Sequence, residues 1–284
     1  MMGVDDHEEA PTSPFLTKAR HALDQLFEEA RRKDELNFAL SLSPEFKAYT
    51  LTSAIDAQRA FREYLGFLQA GQHKGQGIHC RVALALYCHT AEAAGLWGVP
   101  MCMLLVRRGE YYNLEPFAEL VKRHRKTGQT IAPNANKVMG FLAEEAYDQG
   151  LPELAEVFRD AFDADVRNGF AHADYALSPE GIHVRRRHDC ERIVSWPEFE
   201  ALMQDGVGFF HLLGEVIGEY ERAYQTPKVV VGTTAPDMPH GPWLIYMDPN
   251  SRTLTVMGGP GCTEEILWND FHRRWPNTNG AEAQ

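Results

Sequence analysis

The sequence predicts a mainly α protein: a helical bundle with an N-terminal helical extension and a small C-terminal β-hairpin appendix. Three observations predict it. Apolar residues recur at helical spacing through most of the chain, as in Leu154, Val157, Phe158, Ala161 and Phe162. Ser-Pro and similar pairs, which cap and start helices, stand ahead of several of those runs. Beyond Pro227 the pattern changes to short β-rich runs separated by the turn Asp248-Pro249-Asn250-Ser251.

Taken in order, Ser13-Pro14 predicts a helix to about Arg32 with Phe15, Ala19, Ala22, Leu23, Leu26 and Phe27 inward. Ser43-Pro44 repeats the signal for a second helix carrying Phe46, Tyr49, Leu51, Ile55, Phe61, Tyr64, Leu65 and Leu68. The glycines of the GQHKGQG stretch break it, and residues 72–77 mark the first boundary. One helix is then expected through Val82 to Ala94, another after Gly98-Val99-Pro100, and a short one after Glu115-Pro116. Asn134 is positioned to cap a helix that ends near Gly150, and Leu151-Pro152-Glu153 starts the next. Two arrangements stay open there. Either this helix continues through Asp163, or it breaks and Asp163 caps a short separate helix with His172 near its end.

Tyr175 to Leu177 and Ile182 to Val184 flank the turn Ser178-Pro179-Glu180-Gly181 and suit a small hairpin. Ser195-Trp196-Pro197 begins a long helix with Phe199, Phe209, Phe210, Leu213 and Val216 buried, and with Gly206 and Gly208 as candidate interruptions. Val229 to Val231, Trp243 to Met247 and Thr253 to Met257 read as strands. The organisation expected is an N-terminal helical region over 1–72, a helical bundle over 73–226 and a β-rich extension over 227–284.

The 284 residues are 44% hydrophobic, enough for a substantial core. The acidic N-terminus lacks the basic and apolar regions of a signal peptide, and the longest apolar run, Val82 to Val106, is broken by His89, Glu92 and Pro100. A cytoplasmic protein without membrane association is the expectation. Five dispersed cysteines with no CxxC pair argue against a disulfide framework and a zinc ribbon, so neither metal nor cofactor is expected. The net charge of −12 weighs against nucleic-acid binding in general. Two basic clusters run against that trend: Lys122-Arg123-His124-Arg125-Lys126 and Arg185-Arg186-Arg187-His188.

The stretch Arg167-Asn168-Gly169-Phe170-Ala171-His172 gathers a guanidinium, an amide and an imidazole within one and a half helical turns. On a helix Asn168 and His172 share a face, while Arg167 lies about 140° from His172 around the axis and reaches round with its long side chain. An imidazole near neutrality serves as base or acid toward a 2′-hydroxyl, and a guanidinium neutralises charge growing on a phosphoryl group. Asp163, four residues before Arg167, either pairs with it or orients it. Tyr175 and the basic residues Arg185, Arg186 and Arg187 are candidates to contact or orient substrate.

This RNxxxH pattern, followed by Ala173-Asp174-Tyr175, resembles the signature of HEPN domains, many of which are metal-independent ribonucleases. The resemblance covers about half the chain, from Ile78 to Tyr224, and includes the stretch around Tyr87 and Glu92 and the Glu115-Pro116-Phe117 turn. It implies a HEPN-like bundle and an endoribonuclease, toxin-like or acting in phage defence, with Arg167, Asn168 and His172 catalytic. It also implies a homodimer that brings two motifs to one cleft, and an inhibitory or activating protein partner. Some family toxins carry a modified Tyr two residues after the His, whereas Tyr175 stands three after. Two alternatives stand beside this reading: a non-catalytic HEPN protein binding nucleotide, RNA or a protein, and a helical scaffold.

Overall fold

Local capping sets most helix starts in the computed structural model, which describes residues 13–42, 54–70, 76–185, 190–251, 253–276 and 278. Helix α1 (Pro14–Lys33) begins at Ser13, whose hydroxyl accepts from Leu16 N at 3.1 Å and donates to Asp205 Oδ1 at 2.8 Å. Asp34 ends α1 and caps α2 (Glu35–Ser41), a short helix the apolar pattern did not announce. It is held by Asn37, whose buried amide donates to Asp34 and to Thr233 O and accepts from Tyr112 N. Helix α3 spans Ala54–Gln69; Ser43-Pro44, Phe46, Tyr49 and Leu51 lie outside the described residues.

Helices α4 (Gln76–Glu92) and α5 (Ala94–Arg108) follow in immediate succession. The expectation that α5 starts after Pro100 is corrected: Pro100 lies inside it. An interior proline costs a hydrogen bond and strains the turn before it. Here every residue from Ala94 to Val106 is buried, so packing outweighs that cost. A single 3₁₀ turn, Ala118–Leu120, replaces the helix expected after Pro116. It leads into the two-residue strands β1 (Lys122–Arg123) and β2 (Thr130–Ile131).

Asn134 caps α6 (Ala135–Asp148), and Pro152 is the first residue of α7 (Pro152–Asp160). The chain then breaks, and Asp163 caps the separate helix α8 (Ala164–Ala171). Strands β3 (Tyr175–Leu177), β4 (Gly181–Arg185) and β5 (Glu191–Ser195) form an antiparallel meander, one strand more than the hairpin expected.

Helix α9 (Trp196–Arg222) runs unbroken past both glycines. At Gly206 a Cβ would stand 2.7 Å from Ala161 O and 2.9 Å from Tyr87 Cε2, so this glycine lets α9 press against the α7–α8 junction. Strands β6 (Lys228–Gly232), β7 (Gly241–Asp248) and β8 (Thr253–Gly258) make a second antiparallel meander, carrying α10 (Glu264–Arg274).

The protein is mainly helical with small antiparallel sheets, and no helix among the described residues is long and apolar enough to cross a membrane. One continuous core includes Leu23 and Phe27 of α1, Trp97 of α5, Phe158 of α7, Phe209 of α9 and Ile245 of β7. Trp97 stacks on Phe209 with centroids 5.5 Å apart, and its indole donates to Thr90 O at 3.2 Å. Residues on either side of the boundary drawn at 72 therefore share one hydrophobic interior. The C-terminal sheet uses the period of two: Ile245 and Met247 join the main core while Leu244 and Tyr246 face Leu267 and Phe271 of α10.

Candidate functional site around helix α8

Helix α8 is eight residues long and secured at both ends. At its start Asp163 Oδ1 accepts from Asp165 N at 2.9 Å and Val166 N at 3.0 Å, satisfying donors left open in the first turn. Asp163 N donates to the buried Tyr87 hydroxyl at 2.6 Å. At its end Asp174 N donates to Gly169 O at 2.7 Å and Ala173 N to Phe170 O at 3.0 Å, the two bonds of a Schellman cap. That cap places Ala173 in the left-handed region at φ 54°, a conformation costing an L-residue about 1–2 kcal/mol. Ala173 is exposed, so its methyl recovers nothing by packing. Ala173→Gly is expected to raise stability by about 0.5–1 kcal/mol after the glycine's unfolded-state entropy is counted, measurable by chemical denaturation.

Arg167 points inward. Its side chain is 10% exposed and forms an ion pair with Glu92 at the end of α4, while Nη1 donates to Asn168 Oδ1 at 2.5 Å. Glu92 Oε2 also accepts from Ala135 N, the first residue of α6, at 3.3 Å. Glu92 thus ties α8 to α6. Burial lowers the Arg167 pKa, but a guanidinium stays charged under any physiological condition. Cys88 is buried beneath, with Sγ donating to Arg167 O at 3.7 Å; burial pushes its thiol up to about 11 and keeps it protonated.

The role expected of Asp163 is corrected. It neither pairs with Arg167 nor orients it, because its second oxygen accepts from Arg192 Nη1 at 2.7 Å. Arg192, on β5, also reaches Asp165 Oδ2 at 3.2 Å and Glu198 Oε1 at 2.5 Å, clamping the starts of α8 and α9 to the sheet. Gly169 serves packing within the chain: a Cβ there would meet Val184 Cγ1 at 3.0 Å.

His172 is the C-cap of α8, exposed, and its side chain makes no hydrogen bond with the described residues. Tyr175 packs its ring on Phe170 at 5.7 Å. Arg185, exposed at the end of β4, lies 3.5 Å from Asp174. Arg186, Arg187 and His188 lie outside the described residues. The structure therefore joins Arg167 to both Glu92 and Asn168, and leaves His172 open to solvent one turn after Asn168. No group of three or more His, Cys, Asp or Glu residues is placed to hold a metal ion among the described residues.

The partners missed as site residues are Glu92 and Arg192. Glu92 carried a signal: an acid in the last turn of a helix opposes the dipole and calls for a cation elsewhere. Arg192 carried none, since its three carboxylates meet only after β5 pairs with β4. Comparison with family models, with curated proteins and with solved structures finds no match for this chain.

Proposed function

We propose that this chain is a HEPN-like, metal-independent endoribonuclease acting as a homodimer. The observation that carries this reading is the placement of the whole RNxxxH stretch on one short helix capped at both ends, with His172 exposed at its C-terminus. The Arg167 donor settles the orientation of Asn168: Oδ1 faces the guanidinium, so Nδ2 is the group left to donate outward. Asn168 lies four residues before His172 and shares its face.

In this reading His172 takes the proton from the 2′-hydroxyl, and O2′ attacks phosphorus as the bond to O5′ breaks. The departing O5′ takes its proton from His172 of the second copy, because attacking and leaving oxygens lie on opposite sides of phosphorus. The products are a 2′,3′-cyclic phosphate and a 5′-hydroxyl. Asn168 donates to a non-bridging oxygen, and Arg167 acts through it as a positioning cation.

A second reading, a non-catalytic protein that binds nucleotide or RNA, is favoured by the burial of Arg167 and its pairing with Glu92. Labelled single-stranded RNA and tRNA incubated with the purified chain in EDTA separate the two. The expected result is cleavage with cyclic phosphate ends, none on a fully 2′-deoxy strand, and a dimer by light scattering. Binding without cleavage selects the second reading; neither binding nor cleavage of RNA overturns the first reading and the RNA-binding form of the second.

A further inference from the structure

The 24 residues from Leu120 to Ala143 carry five Lys or Arg and no Asp or Glu, in a chain with 40 acidic residues and a net charge of −12. Four of those cations sit on one small projection. Strands β1 and β2 pair Lys122 with Ile131 and Arg123 with Thr130. The connecting loop closes through His124 N to Gln129 O at 2.8 Å and Gly128 N to His124 O at 2.9 Å. Thr127 completes it on His124 Nδ1. Every residue from Lys122 to Ile131 is exposed. At the base, buried Phe117 packs on Phe141 with centroids 6.4 Å apart, so the projection stands on a fixed foundation.

None of Lys122, Arg123, Arg125 and Lys126 forms an ion pair among the described residues, whereas Arg20, Arg107, Arg108, Arg192 and Lys228 all do. Lys122 and Arg123, adjacent on β1, project from opposite faces of the ribbon, and Arg125 and Lys126 stand exposed in the turn beyond it. A surface loop needs neither this density of like charge nor the exclusion of acids around it. Such a projection attracts a polyanion.

Its position narrows the choice. Ile131, the last residue of the ribbon, is four residues before Ala135, the residue bonded to Glu92 of the Arg167 pair. Four residues of chain span at most about 14 Å. We infer that the 122–131 ribbon is a docking arm for the phosphate backbone of single-stranded RNA, holding the strand beside α8; the inference rests on the ribonuclease reading for the identity of the polyanion. Thr127, Gln129 and Thr130 add neutral donors suited to phosphate oxygens. A membrane surface fits less well: the tip, Arg125-Lys126-Thr127-Gly128, has no apolar residue to insert.

The test measures binding, not cleavage, so that it stands apart from the catalytic reading. A 2′-O-methyl single-stranded RNA, which lacks the nucleophile, is titrated by fluorescence anisotropy against wild type and the quadruple variant Lys122→Gln/Arg123→Gln/Arg125→Gln/Lys126→Gln. These side chains are exposed and circular dichroism checks the fold. The expected result is an affinity loss on the order of 10–100-fold, with the slope of log K against log salt falling by about 0.7 per cation removed. A charge-preserving variant, Lys122→Arg/Lys126→Arg, is expected to bind like wild type.

Equal binding by wild type and quadruple variant overturns the docking arm while leaving the nuclease reading intact. A wild type that ignores RNA and binds vesicles of anionic phospholipid or an acidic peptide also overturns the docking arm, and counts against the nuclease reading as well. Binding lost in the variant, in a protein that cleaves nothing, supports the arm and counts against the nuclease.

Discussion

His172→Ala is expected to lower the rate of RNA cleavage by about 10²–10⁴-fold, the usual worth of a general acid or base, while shifting the melting temperature little. The two halves of this expectation follow from one fact. The imidazole is exposed and makes no hydrogen bond with the described residues, so its removal opens no cavity and strands no buried partner. The helix end is held by backbone bonds from Ala173 and Asp174, which do not involve the ring. A histidine whose ring bonds the helix end or fills the core gives the opposite pattern, with stability lost and cleavage reduced only in proportion to unfolding. Single-turnover rates in EDTA, read beside thermal unfolding of both proteins, decide between them. Unchanged cleavage by the folded variant would remove His172 from the chemistry.

Arg167→Ala carries the largest expected cost in stability. Removing one partner of a buried ion pair leaves the other charge desolvated, which typically costs about 3–5 kcal/mol. Glu92 is 39% exposed, and solvent screening brings the expectation down to about 2–3 kcal/mol. The loss extends beyond the pair, because Glu92 also accepts from the first amide of α6, and the Arg167 guanidinium orients Asn168. Chemical denaturation of Arg167→Ala, Glu92→Gln and the double variant forms a cycle that isolates the coupling. The double variant is expected to be more stable than the sum of the two single changes implies. Additive losses would show that the pair contributes nothing beyond each side chain's own packing. Arg167→Lys is expected to recover charge without recovering the Asn168 contact, since an ammonium lacks the guanidinium's fixed fork.

The starts of α1, α6 and α9 could be read directly because a cap is a contact within about three residues. Ser13, Asn134 and Ser195 each accept from an amide three positions ahead, and each was legible as Ser or Asn before a helical pattern. The same locality made Asp163 legible as a possible cap. The failures share a different cause. Pro100 and the glycines of α9 are poor helix residues by propensity, and the helices run through them because burial and close approach outweigh a cost of about 1–3 kcal/mol. Helix α2 escaped notice because its seven residues are too few to display a period, and its stability rests on the distant Thr233 and Tyr112.

The candidate site divides along the same line. By itself the sequence determined that Arg167, Asn168 and His172 lie on one helical segment, and it offered Asp163 as a cap for that segment, since helical spacing and capping are settled within a turn. Only the tertiary structure decided that Asp163 serves Arg192 and not Arg167, that Arg167 is buried against Glu92, and that His172 is left in solvent. Charged side chains choose partners by the distance and desolvation that packing creates, and those are settled only when α4, α6, α8 and β5 meet.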